Sequence, residues 1–106
     1  DELPLDARGP AGEPLTIDIA SLGPRRAARV LLHTSGIHGV EAFAGAAVQL
    51  AALASPPQLP GGCALVLVHV LNPYGMAWLR RANESNVDLN RNFLAPGERW
   101  EGASAL

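Results

Sequence analysis

The sequence predicts an α/β fold, and three stretches carry that expectation. "RVLLHT" (29–34) and "CALVLVHVL" (63–71) are short apolar runs. Between them lies "GVEAFAGAAVQLAALA" (39–54), too long for a strand and rich in the helix formers Ala and Leu. Strand, helix and strand in that order make a βαβ unit, with parallel strands and a right-handed crossover.

The elements follow in order. Residues 1–14 are rich in Pro, Gly and charge and are read as a loop-like lead-in. "LTIDIA" (15–20) alternates, with Leu15, Ile17 and Ile19 on one side and Thr16 and Asp18 on the other, the pattern of a half-buried strand. "SLGPRRAA" supplies turn residues before the strand at 29–34. The 39–54 helix is apolar nearly all round, which predicts burial on more than one side. Pro56, Pro57, Pro60, Gly61 and Gly62 end it. The continuous apolar run 63–71 predicts a central strand buried on both faces. "NPYGMAWLRR" (72–81) opens with a turn into a short helix, and the Asn-rich remainder is loop. Three strands are visible, as part of a larger sheet, within a single partial domain spanning 1–106.

Composition narrows the function. Hydrophobic residues make up 48% of the 106, which excludes a disordered tail. Net charge is −2, and the eight basic residues, all Arg, form no patch suited to nucleic acid or an anionic membrane. No apolar run is long enough to span a bilayer, and a cytoplasmic location is expected. The single cysteine, Cys63, rules out an internal disulfide framework and a thiolate-rich zinc site, and is read as a buried, inert thiol. The chain starts at Asp1, compatible with a removed leader, and runs out at "EGASAL" with no evident terminal element, so a fragment is expected.

The polar residues gather after the carboxyl ends of the two βαβ strands, where open α/β sheets bind ligands. In "SGIHGVEAF" (35–43), His38 and Glu41 are spaced so that both can turn to one ion, and zinc accepts both donor types. The alternative is that Glu41 favours a helix N-terminus through the dipole while His38 is an ordinary loop residue. In "RRANESNVDLNRNF" (80–93), Arg81 is fit to stabilise an oxyanion, and Arg91 beside Asn90 is fit to grip a carboxylate. The alternative there is a set of turns with a structural salt bridge from Arg91 to Asp88.

Together, "SGIHGVEAF" and "LNPYGMAWLRRANESNVDLNRNF" resemble the zinc carboxypeptidase family of M14-type metallopeptidases. Within that superfamily the likeness is to the branch described only as a domain of unknown function, the DUF2817 group, and it covers roughly residues 28–94. The resemblance implies an α/β/α sandwich with a mixed sheet, incomplete in this chain. It implies zinc as cofactor, with His38 and Glu41 as the first two ligands. Arg81 matches the arginine that polarises the scissile carbonyl, with Arg80 one position out of register. Asn90 and Arg91 match the pair that holds the substrate's free carboxylate. Asp88, Asn92 and Phe93 are expected to shape the loop, and Tyr74 is given no role.

The implied function is hydrolysis of an amide bond next to a free carboxylate, in a peptide or an acylated amino acid. Two parts of the pattern are missing. The family's third zinc ligand is a downstream histidine, and its general base is a later glutamate. His33 and His69 match neither position, His69 being read as a core residue with a possible supporting place near the site. Glu84, Glu98 and Glu101 are read as solvated. The 106-residue chain alone is therefore expected to bind metal weakly, to hydrolyse nothing and, with its strand edges unpaired, to self-associate. Three other readings stand beside this one. One is an aspartoacylase-like N-acyl amino acid deacylase, from which the terminal Phe of "DLNRNF" leans away. Another is a truncated, non-catalytic remnant that binds a carboxylate or a partner. The last is an α/β domain whose motifs are structural.

Overall fold

A computed structural model describes residues 1–99. Among the described residues, four strands form one mixed sheet. Strand β1 (Glu2–Arg8) pairs antiparallel with β2 (Pro14–Leu22). Strand β3 (Arg29–Thr34) leads through a 3-10 turn (Gly39–Glu41) into helix α1 (Ala42–Ala54). Strand β4 (Cys63–His69) then enters the sheet parallel to β3 and antiparallel to β2, giving the order β1-β2-β4-β3. The short helix α2 (Pro73–Ala77) follows, and a second 3-10 turn lies at Leu89–Arg91.

The βαβ unit is present, and β4 is the inner strand. Ala64, Leu65 and Leu67 are buried, and because successive side chains alternate, Ala64 and Leu65 show that both faces are covered there. The strand stops at His69 rather than at Leu71, although the pairing continues irregularly: Leu71 N–H donates to Ser35 O at 3.0 Å.

The lead-in needs correction. Residues 2–8 are a strand, not a loop. Leu3, Leu5 and Ala7 share one parity, but Pro4 between them and the charges at Glu2, Asp6 and Arg8 mask it. Pro4 is tolerated because β1 is an edge strand with one side free of ladder bonds among the described residues, and the register shifts between Pro4 and Arg8.

Two burial expectations also change. Helix α1 lies on one face of the sheet, and among the described residues nothing covers its other side: Phe43, Val48 and Leu50 are more than half exposed. Cys63 is half-buried at the start of β4, not sealed in the core. Val30, Leu31 and Leu32 are exposed on the edge strand β3, the surface behind the expected self-association.

Candidate metal centre

The site is assembled where the chain leaves β3 and where it leaves β4. Beyond Thr34, Ser35 N–H donates to Val68 O and Asn72 N–H to Gly36 O, so the two exits stay side by side. Gly36 has φ +62°, and a Cβ there would also strike Val70 and Ala42, so only glycine makes this bend. It delivers His38, buried in the turn before α1.

The second exit is held by Asn72, 1% exposed. Its Oδ1 caps α2 by accepting from Gly75 N–H at 2.8 Å, and its Nδ2 donates to Arg81 O at 3.2 Å. Helix α2 ends in a Schellman motif: Arg80 N–H donates to Gly75 O and Leu79 N–H to Met76 O, with Leu79 in the left-handed region at φ +53°. The two segments then lock together, as Val40 N–H donates to Arg80 O at 3.0 Å and Gly39 sits directly on the Gly75 backbone.

His38 is held between two carboxylates. Its Nδ1 lies 3.2 Å from Glu41 Oε2, and its Nε2 lies 3.1 Å from Asp88 Oδ1. Asp88 is the hub of the site. Its Oδ2 accepts from Arg81 Nε at 2.8 Å, and its Oδ1 also accepts from Asn90 N–H at 2.9 Å. The Arg81 hydrogen bond, helped by the Asn90 N–H and by His38, holds the Asp88 carboxyl below the usual carboxylate range against the opposing effect of partial burial. Asp88 therefore stays an acceptor for an Nε2–H on His38.

This arrangement can be tested against zinc chemistry. A neutral imidazole has one N–H and satisfies one carboxylate. With that hydrogen at Nε2 for Asp88, the Nδ1 lone pair faces the Glu41 carboxylate, two acceptors turned to each other. The contact asks for a second proton or for a cation between them. Zinc ligands at about 2.0–2.1 Å in a tetrahedron stand roughly 3.3 Å apart, close to the separation found here. The carboxylate on the far ring nitrogen is the usual support for a metal-binding histidine. The donor set fits zinc. It is incomplete, because Asp88 sits on the opposite side of the ring from Glu41; among the described residues no three His, Cys, Asp or Glu side chains converge on one point.

The remaining sequence candidates divide. Arg81 joins the site, while Arg80 turns away, over the Tyr74 ring at 5.9 Å and onto Asn86 Oδ1 at 3.0 Å. The partner of Asp88 is Arg81 and not Arg91, so the structural salt bridge considered for Arg91 is absent among the described residues. Asn90 reaches the site through its backbone. Arg91 is exposed, and its one hydrogen bond among the described residues goes to the neighbouring Asn90 O at 3.2 Å. Glu41 does not cap α1 with its side chain, which turns to His38 instead. His69 Nδ1 lies 3.2 Å from Ser35 Oγ, and among the described residues His69 makes no hydrogen bond to His38. Glu84 is exposed, Glu98 accepts from Ala95 N–H, and Glu101 lies outside the described residues. Asp88, expected only to shape its loop, does so and also joins His38 to Arg81. Its position two residues before Asn90, where an Asp caps a turn, was the available signal.

Comparison with curated proteins gave no match. Comparison with solved structures gave none either. A family model described as a protein of unknown function, DUF2817, matches residues 1–103. The chain thus belongs to the DUF2817 family.

Proposed function

We propose that this chain carries one half of the site of a metallocarboxypeptidase-type amide hydrolase, with zinc as its metal. The observation that supports it most is His38, buried between two carboxylates with its Nδ1 turned to Glu41. His38 and Glu41 would hold the ion. Zinc supplies Lewis acidity, polarising a carbonyl oxygen and acidifying water.

The chain's own groups would do the rest. Asp88 fixes the His38 tautomer and orients Arg81. The Nε of Arg81 is spent on Asp88, and its two terminal nitrogens have no partner among the described residues, leaving them for a carbonyl oxygen as negative charge develops there. Arg91, exposed beside Asn90, would grip a terminal carboxylate as a paired donor and so select which bond is presented. The resemblance to M14-type peptidases supports the same roles. A third metal donor and a general base are required in addition.

The test is Zn²⁺ titration of the chain by calorimetry. Weak binding is expected, abolished in His38→Ala and Glu41→Ala, retained in Arg81→Ala, and weakened about 10–100-fold in Asp88→Asn. No binding, or binding that His38→Ala leaves intact, overturns the proposal. Binding of a C-terminal peptide set against binding of an N-acyl amino acid then separates peptidase from deacylase.

A further inference from the structure

Helix α1 meets the sheet through small residues and one buried amide. Gly45 lies so close to Ser35 that a Cβ on it would stand 2.6 Å from Ser35 Cβ. One turn later comes Gln49, only 4% exposed. Its Nε2 donates to Val68 O at 2.9 Å and lies 3.3 Å from His33 Nδ1, and its Oε1 accepts from Ser35 Oγ at 3.0 Å. Ser35 Oγ also lies 3.2 Å from His69 Nδ1.

Hydrogen-bond accounting gives this cluster a direction. Ser35 has one hydroxyl hydrogen; Val68 O, 3.4 Å away, already accepts from Gln49 Nε2 and Ser35 N–H, whereas Gln49 Oε1 at 3.0 Å has no other donor among the described residues, so the hydrogen goes to Gln49. His69 Nδ1 must then carry a hydrogen and donate to Ser35. His33 Nδ1 accepts from Gln49, so its own hydrogen is on Nε2. The relay runs from His69 through Ser35 to Gln49 and on to His33 and the β4 backbone.

Apolar packing resists separation of a helix from a sheet but little resists sliding or turning; directional bonds to two strands resist both. Glu41 lies immediately before α1, and His38 lies three residues after Ser35. One clamp thus holds both halves of the pair, from a distance of about 12 Å for eight residues of helix rise. We infer that Gln49, acting through Ser35, is a positioning residue for the His38–Glu41 pair, setting the spacing of imidazole and carboxylate while touching neither. The inference rests on reading that pair as metal donors.

The test uses the full chain, with Gln49→Met, which keeps length and loses the bonds, Ser35→Ala, and the exposed control Val48→Ala. Two quantities are read: Zn²⁺ affinity by calorimetry, and the imidazole ¹⁵N–¹H resonances without metal. In folded Gln49→Met, Zn²⁺ affinity is expected to fall about tenfold or more and the His38 ring resonances to shift, while Val48→Ala changes neither. Wild-type His69 is expected as the Nδ1–H tautomer. Wild-type affinity and unshifted His38 resonances in folded Gln49→Met overturn the inference, as does an Nε2–H tautomer at His69. Should Gln49→Met fail to fold, Ser35→Ala is judged by the same two readouts. Should wild type take up no Zn²⁺, the metal reading fails by itself, and the positioning role is decided by the His38 resonances of the variants.

Discussion

Replacing Gly39 with alanine attacks the contact that brings the two halves of the site together. A Cβ on Gly39 would fall on Gly75 Cα, Gly75 C and Met76 N, all backbone atoms, all far inside van der Waals contact. No side chain can rotate away, so the turn before α1 and helix α2 must part by more than about 1 Å to restore an ordinary carbon contact of roughly 3.5–4.0 Å. That movement breaks Val40 N–H to Arg80 O and strains Asn72 N–H to Gly36 O, both 3.0 Å. Overpacking at about 1–3 kcal/mol and one or two hydrogen bonds at about 0.5–1.5 kcal/mol each give a loss of about 1.5–6 kcal/mol, centred on about 3 kcal/mol. For a chain of this size, that lowers Tm by roughly 10 °C or more. The assay is urea unfolding followed by tryptophan fluorescence. Gly61→Ala is the control: its Cβ meets nothing within 4 Å, and it should be neutral or slightly stabilising. A Gly39→Ala chain within about 0.5 kcal/mol of wild type would refute the reasoning, because surface substitutions without structural consequence fall in that range.

Three further outcomes are expected. Asn72→Ala removes the α2 cap and leaves the buried Gly75 N–H and the part-buried Arg81 O without their partner, costing about 2–3 kcal/mol by urea unfolding; a loss under 1 kcal/mol would mean that water replaces both bonds. Leu79→Gly relieves a left-handed residue whose side chain is 65% exposed, and should raise stability by about 0.5–1 kcal/mol after the entropy of glycine is set against the strain; a destabilised variant would show that the leucine side chain holds something in place. Asp88 has its folded pKa below the ordinary 3.8, so its contribution is complete above that value and is lost as pH falls through the lower folded one. The His38 ring resonances should therefore change in a step in strongly acidic solution, and a step that persists in Asp88→Asn would assign it to another group.

The parts of the site legible in the sequence were those set by local geometry. His38 and Glu41 are three residues apart across a turn, and short chain segments leave few ways to arrange them. The resemblance pointed to Arg81 over Arg80, but which of the two side chains turns to Asp88 was not legible in the local pattern, since both follow the same helix. It was decided by the Schellman turn at Leu79 and by the Asn72 bond to Arg81 O, which send adjacent side chains in opposite directions. Asp88 lies 50 residues from His38, a pairing that no spacing rule reaches. Ser35 and Gln49 belong to no sequence motif, and only their burial together gives them meaning.

By itself, the sequence determined the βαβ unit, the parallel pairing and the central place of the strand it read at 63–71, because hydrophobic run length and helix propensity act within each segment. The tertiary structure decided that residues 2–8 form an edge strand, that α1 is covered on one side among the described residues, and that His38 stands between Glu41 and Asp88. These outcomes depend on free energies shared between segments far apart in the chain: an edge strand exists only against its neighbour, and a histidine's second carboxylate arrives only when two strand exits close on each other.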